Sequence, residues 1–210
     1  INWLSIHFNF FLILFVPLYA ILPNAEWFTI AQAFSLSVTA LPIFIHASKV
    51  NGSDQKGLIW ALIYLLNPFL ISAAAWDFHP VTLAVPFIAI GLLATEIRHY
   101  RLLLFCCFSL FFIQEQFGIT AAGFGTLWGI RHRDLKNGLF LAGIGLLHTI
   151  LVVGIIVPSL TSHETHPIMS RYNWLGDNLF EITKKLLLHP VATVKTILAM
   201  DGTVSYFILL

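Results

Sequence analysis

The sequence predicts an all-α, polytopic transmembrane helix bundle with about seven to eight membrane segments. Three observations carry that expectation. Of the 210 residues, 58% are apolar and only 10% charged, against about 45–50% and about 25% in ordinary globular chains. Mean hydropathy is +0.86, so too little charge remains to coat a water-facing surface. The apolar residues run on without period-two alternation and are mostly Leu, Ile, Phe and Ala, which argues against a transmembrane β-barrel. A soluble enzyme, a secreted disulfide scaffold and an intrinsically disordered chain are excluded.

A helix needs roughly 20 mainly apolar residues to cross about 30 Å of hydrocarbon. Candidate segments lie at about 6–22, 27–48, 57–75, 80–97, 102–113, 117–130 and 138–158, and an eighth begins near 203. The organisation that follows is a bundle over 1–158, a polar stretch over 159–202 and the start of a further helix over 203–210. The chain begins at Ile1 and ends in Ser-Tyr-Phe-Ile-Leu-Leu, so it reads as a window from a longer protein, with no signal peptide assignable.

Positive charge sets orientation. Lys49 and Lys56, then Arg98 and Arg101, then Arg131, Arg133 and Lys136 take seven of the eleven basic residues in three connections. All three are placed in the cytoplasm. The connections between them, residues 76–80 and 114–116, then fall outside, as does the stretch after Pro158.

Over 102–130 the same rule prefers a hairpin to one continuous helix, with Gln114-Glu115-Gln116 at its apex. Arms of about 12 and 14 residues reach only about 18–21 Å. The apex is therefore expected below the membrane surface, where irregular backbone must line a wet cavity and an ionisable residue marks a functional site. The competing reading is a tilted, locally thinned region with Glu115 at the interface. The first segment is short and carries Pro17, so it reads either as a crossing or as a re-entrant piece. In the outer stretch Asp177 and Asn178 are placed to cap a helix, whose apolar positions Leu179, Phe180, Ile182, Leu186 and Leu187 lie beside Lys184 and Lys185. Pro190 interrupts it and Val191 to Met200 resumes the pattern. Such a segment lies flat at a membrane surface or packs on the bundle.

Asp77 and His79 stand out in Trp-Asp-Phe-His-Pro. With Glu115 on the same side they could act as general base and orienting groups or hold a hard cation. Equally, Asp77 could cap the helix opened by Pro80. His163, Glu164 and His166 have metal-ligand spacing, but Pro167 follows and no third ligand is evident. His46 and His148 lie within apolar runs; interhelical bonding is the commoner role for such residues than pigment or haem ligation, so pigment and haem are not expected. Asn51-Gly-Ser matches the glycosylation pattern but falls in a cytoplasmic connection. Adjacent Cys106 and Cys107 read as buried thiols, since a bridge between neighbours is strained. Net charge is +1, and no basic run exists to bind a nucleic-acid backbone.

Several of these segments resemble a family of uncharacterised bacterial membrane proteins, a group defined only as a domain of unknown function and placed near the GT-C glycosyltransferases. The resemblance rests on Asn2-Trp-Leu-Ser-Ile-His-Phe, on Pro17-Leu-Tyr-Ala-Ile-Leu-Pro and on Asp77-Phe-His-Pro with Leu83-Ala. It continues through Arg171-Tyr-Asn-Trp-Leu-Gly-Asp and Leu188-His-Pro, and so covers essentially the whole chain. It implies a GT-C-like multi-pass enzyme of the bacterial inner, or thylakoid-type, membrane that takes a sugar from a polyprenyl-phosphate donor at the outer face. It also implies Asp77 and Glu115 as catalytic carboxylates, and His7, His79, Gln114, Gln116 and Tyr172 as substrate contacts, with His7 and His79 on the phosphate. No metal ligand is assigned, although the two carboxylates could recruit a divalent ion. The sequence departs from the family at the apex: Gln-Glu-Gln stands where Lys-Glu-Asp is usual, removing a cation and a carboxylate. The usual first-loop carboxylate of GT-C enzymes would precede Ile1. That departure motivates a second expectation, a non-catalytic subunit of a larger photosynthetic or respiratory membrane complex. Membrane lipids are expected partners in both cases, and the GT-C link is an analogy of fold.

Overall fold

The computed structural model describes residues 7–160, 172–177 and 179–199. His163, Glu164, His166, Arg171, Asn178 and the expected eighth segment lie outside the described residues. The chain divides into two units, Ile1–Leu160 and Thr161–Leu210, and every described element is helical.

The first unit opens with a 3₁₀ segment, Phe10–Phe15, running into α1 (Val16–Ile21). Then come α2 (Glu26–Val38), α3 (Ala40–Asn51), α4 (Asp54–Leu65), α5 (Pro68–Ala75), a 3₁₀ turn Pro80–Ala84 and α6 (Val85–Glu96). The unit closes with α7 (Tyr100–Ile113), α8 (Phe117–His132), α9 (Leu135–Leu151), a π-helical segment Val152–Ile156 and α10 (Val157–Ser159). Among the described residues two continuous helices are long and apolar enough to cross a membrane, Glu26–Asn51 and Leu135–Ser159. The bent pair Asp54–Leu65 and Pro68–Ala75, kinked by 51°, makes at most a third. The expectation of seven to eight membrane segments is therefore corrected. The physical reason is where the apolar runs break. Asn67 caps α5 by accepting the Phe69 N–H at 2.9 Å, and Pro68 after it cannot continue a helix hydrogen-bond ladder. α7 and α8 have 14 and 16 residues, or about 21 and 24 Å, short of the hydrocarbon thickness.

Residues 102–130 do form a hairpin. The N-terminus of α7 and the C-terminus of α8 meet: Arg98 Nε donates to His132 Nδ1 at 3.1 Å, and Arg131 pairs with Glu96. Arg can only donate, so His132 Nδ1 carries the lone pair and Nε2–H donates to the Thr95 carbonyl at 2.8 Å. Tyr100 closes the same end on the Asn137 carbonyl, 2.9 Å. Asp134 caps α9, accepting from the Asn137 N–H and side chain and from Trp128 Nε1. These bonds to Asn137 and then Trp128 hold its carboxyl below the usual carboxylate range. The α3–α4 connection lies at this end too, because Asn51 and Glu96 line one cavity of about 520 Å³. All three basic connections thus share one end of the bundle. Asn51-Gly-Ser is accounted for as helix punctuation: Gly52 takes φ +62° after α3, and the Ser53 hydroxyl accepts the Lys56 N–H in α4.

α8 and α9 pack backbone to backbone through Gly118, Gly125, Gly129, Gly138 and Gly145. A Cβ on Gly145 would lie 2.4 Å from the Gly118 carbonyl oxygen, and one on Gly125 would lie 2.4 Å from the Ala142 nitrogen. Small residues serve this purpose in lipid, where close van der Waals contact replaces the hydrophobic effect between helices. The core runs through Leu83, Ala94, Leu103, Cys107, Leu110, Ile113, Phe117 and Phe124. Cys106 and Cys107 are free and buried.

In the second unit lies α11 (Leu179–Leu188), and the Asp177 N–H is accepted by the Glu181 carboxylate at 3.0 Å. It ends before Pro190, and α12 spans Pro190–Ala199. Lys185 Nζ donates to the Trp174 carbonyl at 2.7 Å. Phe180, Leu187, Leu188, Val191 and Val194 are exposed.

Candidate functional site

The hairpin apex is buried: Glu115 is 5% exposed and Gln114 7%. Both carboxylate oxygens of Glu115 are engaged by the N-terminal segment. Oε1 lies 2.9 Å from His7 Nδ1, and Oε2 accepts the Phe8 backbone N–H at 3.0 Å. An ionised carboxylate only accepts, so the hydrogen in the first contact belongs to His7 Nδ1. Gln114 lies 2.9 Å from the same Nδ1, with Gln116 beside it at 3.0 Å. With Nδ1 a donor, Gln114 must turn its carbonyl oxygen to the imidazole and its amide to Gln116, an assignment hydrogen-bond logic fixes rather than heavy-atom positions.

Thr149 Oγ1 donates to the Glu115 carbonyl at 3.1 Å, which locates the apex along α9. The helix Leu135–Ser159 has 25 residues, about 37 Å. Thr149 stands about 21 Å from its start and about 15 Å from its end. Where that helix crosses a bilayer, Glu115 sits below the surface. A buried carboxylate at that depth survives only with its lone pairs satisfied, which His7 and Phe8 accomplish. His148, next to Thr149, stacks on Phe111 with centroids 4.5 Å apart and meets Phe8 edge-on at 6.0 Å. Neither of its ring nitrogens finds a hydrogen-bond partner in good geometry, so aromatic packing holds it rather than the interhelical bond expected. His46 is exposed and lines the cavity at the basic end.

The Asp77–Pro80 connection lies at the apex end, since the 3₁₀ turn after it packs on α7 and Leu83 shares a core with Ile113. Its organiser is Gln32, fully buried at 0% exposure. Gln32 Oε1 accepts the His79 N–H at 2.9 Å and the Thr82 hydroxyl at 3.1 Å. Its Nε2 donates to the carbonyls of Ala73 at 2.9 Å and Trp76 at 3.1 Å. Asp77 is exposed and its backbone carbonyl, 2.6 Å from His79 Nδ1, is what its neighbours use. The capping role weighed for Asp77 is corrected: His79 holds the cap position of the Pro80 turn, without a side-chain cap bond, because Gln32 already serves that amide. Gln32→Leu is expected to strand the His79 N–H and two carbonyls at a cost of about 2–3 kcal/mol. Amide exchange over 76–82 should accelerate about tenfold, the loop opening locally before the bundle. Exchange unchanged there would show that the clamp does not organise the loop.

The N-terminal segment does not run the length of the bundle. His7 is bonded to the apex, and Phe28, just inside α2, packs on Phe15 and on Phe78 of the outer connection at 5.4 and 5.1 Å. Both ends of residues 7–25 therefore meet the apex end, so the segment turns back on itself within the bundle. Between this segment and α2 lies a cavity of about 600 Å³ with His7, Asn9 and Tyr19 as its polar lining and Leu12, Ile13, Phe15 and Val16 among its apolar walls.

Of the residues expected at the site, His7, Gln114, Glu115 and Gln116 come together. Asp77 and His79 form a second cluster at the same end, and Tyr172 is exposed in the second unit. Among the described residues no three His, Cys, Asp or Glu side chains gather as a metal-holding group, so Asp77, His79 and Glu115 do not assemble the hard-ion site weighed above. Sequence reasoning missed Gln32, Asn9 and Thr149. The signal for Gln32 was a lone amide in an otherwise apolar run. No curated protein and no solved structure matches the chain. A family model described as "Predicted membrane protein (DUF2079)" matches residues 1–210, and the chain belongs to that family of predicted membrane proteins.

Proposed function

We propose that the protein is a GT-C-like transferase of the bacterial inner, or thylakoid-type, membrane, moving a sugar from a polyprenyl-phosphate donor to an acceptor at the outer face. The observation that carries this reading is a buried Glu115–His7 pair at the hairpin apex, with His7 forming a wall of a large apolar cavity. Such a cavity suits the chain of a lipid substrate, and the paired carboxylate and imidazole suit proton transfer at its head. In the transfer step the acceptor oxygen bonds to the sugar's anomeric carbon as the bond from that carbon to the donor phosphate oxygen breaks. The electron pair leaves on the phosphate. The acceptor proton passes to His7, and Glu115 balances the imidazolium charge. Gln114 and Gln116 hold the pair in register. Exposed Asp77 receives the acceptor from the aqueous side, and exposed His79 contacts the phosphate.

Asp77→Asn and Glu115→Gln in the full-length protein are each expected to lower sugar transfer in native membranes by about 100-fold, the low end of what general-base catalysis contributes, because His7 serves as base only with the Glu115 charge behind it and an acceptor held at Asp77. Transfer at the wild-type rate in both variants would refute the assignment. A second reading is favoured by one observation: both Glu115 oxygens are already satisfied within the chain, as in a packing knot. It makes the protein an accessory subunit of a larger membrane complex. Native mass spectrometry of mild-detergent extracts separates the two. A lone protein with a polyprenyl-phosphate-sized adduct supports the transferase, and a fixed stoichiometry in a large assembly supports the subunit.

A further inference from the structure

The cavity of about 520 Å³ at the basic end takes no part in the proposed transfer, whose residues lie at the apex end. It is a groove. α3 and α6 meet and both run toward the basic end. α3 lines the groove from Pro42 to Asn51, and α6 lines it from Ala89 to Glu96. Those stretches measure about 13 and 10 Å, against about 15 Å for one leaflet of the hydrocarbon core. Polarity is graded along that depth. Pro42, Ile43 and Ala89, farthest in, are apolar. His46 on α3 and Trp60 on α4 enter the lining about 8 Å from the mouth, and Asn51 and Glu96 stand at the mouth.

The mouth is cationic. Glu96 is the carboxylate in the lining, and Arg131 neutralises it. Lys56 lies one turn from Trp60 on the same face of α4, nearer the mouth. Among the described residues neither Lys56 nor Lys49 pairs with a carboxylate. The three connections at this end carry seven cations against three carboxylates, Asp54, Glu96 and Asp134. The α4 wall is also fixed in place, since a Cβ on Gly57 would strike the Ser48 hydroxyl and the Phe44 carbonyl of α3. A cation at the mouth, side chains able to donate hydrogen bonds further in and hydrocarbon beyond them match the phosphate, ester carbonyls and acyl chain of a glycerophospholipid. Basic pockets between membrane helices take acidic headgroups in this way.

We infer that this groove is a binding site for an anionic glycerophospholipid of the leaflet at the basic end. One acyl chain lies between α3 and α6, and the headgroup phosphate sits at Lys56. The site stands whether or not the protein transfers sugar.

Lipid retention tests it. The full-length protein in mild detergent is given equal amounts of phosphatidylglycerol and phosphatidylcholine with the same acyl chains, and adducts are counted by native mass spectrometry. Phosphatidylglycerol is expected to exceed phosphatidylcholine by about fivefold, the weight of one basic residue beside an anionic headgroup. Lys56→Gln should bring it down to the phosphatidylcholine level. Lys136→Gln removes the same charge from the same end, away from the groove, and should change neither adduct. Leu92 lines the groove at 49% exposure, so Leu92→Trp should fill it and lower both adducts severalfold at an unchanged melting temperature. Equal retention of the two lipids by the wild type would overturn the inference. So would Lys136→Gln acting as strongly as Lys56→Gln, which is diffuse attraction, or a polyprenyl monophosphate displacing phosphatidylglycerol. Lys56 is exposed, so its variant decides the matter even where Leu92→Trp melts early.

Discussion

Glu115→Leu is expected to release the N-terminal segment from the bundle and lower stability by about 3 kcal/mol, the low end of the cost of breaking a buried pair. The low end applies because the His7 side chain retains 29% exposure while Glu115 is nearly sealed. Leucine fills the apex but leaves the His7 Nδ1–H and the Phe8 N–H without an acceptor, and both sit where water is scarce. Residues 7–25 are tied to the bundle by these two bonds and by aromatic contacts from Phe11 to Phe87 and Phe15 to Phe28. Losing the bonds should let the segment detach before the helices separate. Glu115→Gln behaves differently: its carbonyl oxygen still accepts the Phe8 N–H, so it should cost only about 1 kcal/mol. Thermal melting in detergent and limited proteolysis across residues 7–25 read both effects. A leucine variant that melts and resists protease like the wild type would show that the apex pair does not anchor the segment. Glutamine as damaging as leucine would show that charge, not hydrogen bonding, holds it.

The hairpin was legible in the sequence because basic residues flank both arms of 102–130 and a polar triplet interrupts them. The same charge pattern placed Lys49–Lys56, Arg98–Arg101 and Arg131–Lys136 at one end, where the structure finds them. The longer apolar runs near 27–48, 57–75 and 138–158 correspond to the two continuous spans and the bent pair. The number of crossings was not legible. An apolar run reports that a segment avoids water, but not whether it continues past a Pro or a polar apex to the far side. Packing partners were hidden for a related reason. On α7, Leu103, Cys107 and Leu110 are buried while Phe105 and Phe108 are exposed. In lipid both faces are apolar, so the amphipathic stripe that marks a core face in water is missing. The site itself was half legible. Ionisable residues in apolar surroundings flagged Glu115, His7, Asp77 and His79, but a contact between residues 108 apart in sequence leaves no local trace. Gln32 holds the Asp77 loop through backbone groups, and those carry no sequence signature.

The seam between α8 and α9 yields the sharpest contrast, because two glycines two residues apart on α9 should respond with opposite signs. A Cβ on Gly145 would meet the Gly118 carbonyl oxygen at 2.4 Å and the Ala122 nitrogen at 2.7 Å, whereas a Cβ on Gly143 meets nothing within 4 Å. Both neighbours of Gly145 are backbone, so neither can move aside without displacing α8. Gly145→Ala should therefore cost about 1–3 kcal/mol, the usual penalty of overpacking, and Gly145→Leu more, since a larger side chain must prise the helices apart. Gly143→Ala should instead stabilise by about 0.5–1 kcal/mol, because alanine limits the backbone freedom lost on helix formation. The damage at Gly145 should also reach the apex. Gly118 lies in the first turn of α8, three residues after Glu115, and Thr149, one turn beyond Gly145, donates to the Glu115 carbonyl. Separating the helices there pulls the apex from its support, so protease should gain access to residues 7–25 in Gly145→Leu as it does in Glu115→Leu. Melting temperatures of the three glycine variants, with the proteolysis pattern beside them, decide the matter. Gly145→Ala melting at or above the wild type would mean that the seam is looser than the backbone approach requires. A Gly145→Leu variant with lowered melting but an intact N-terminal segment would uncouple the seam from the apex.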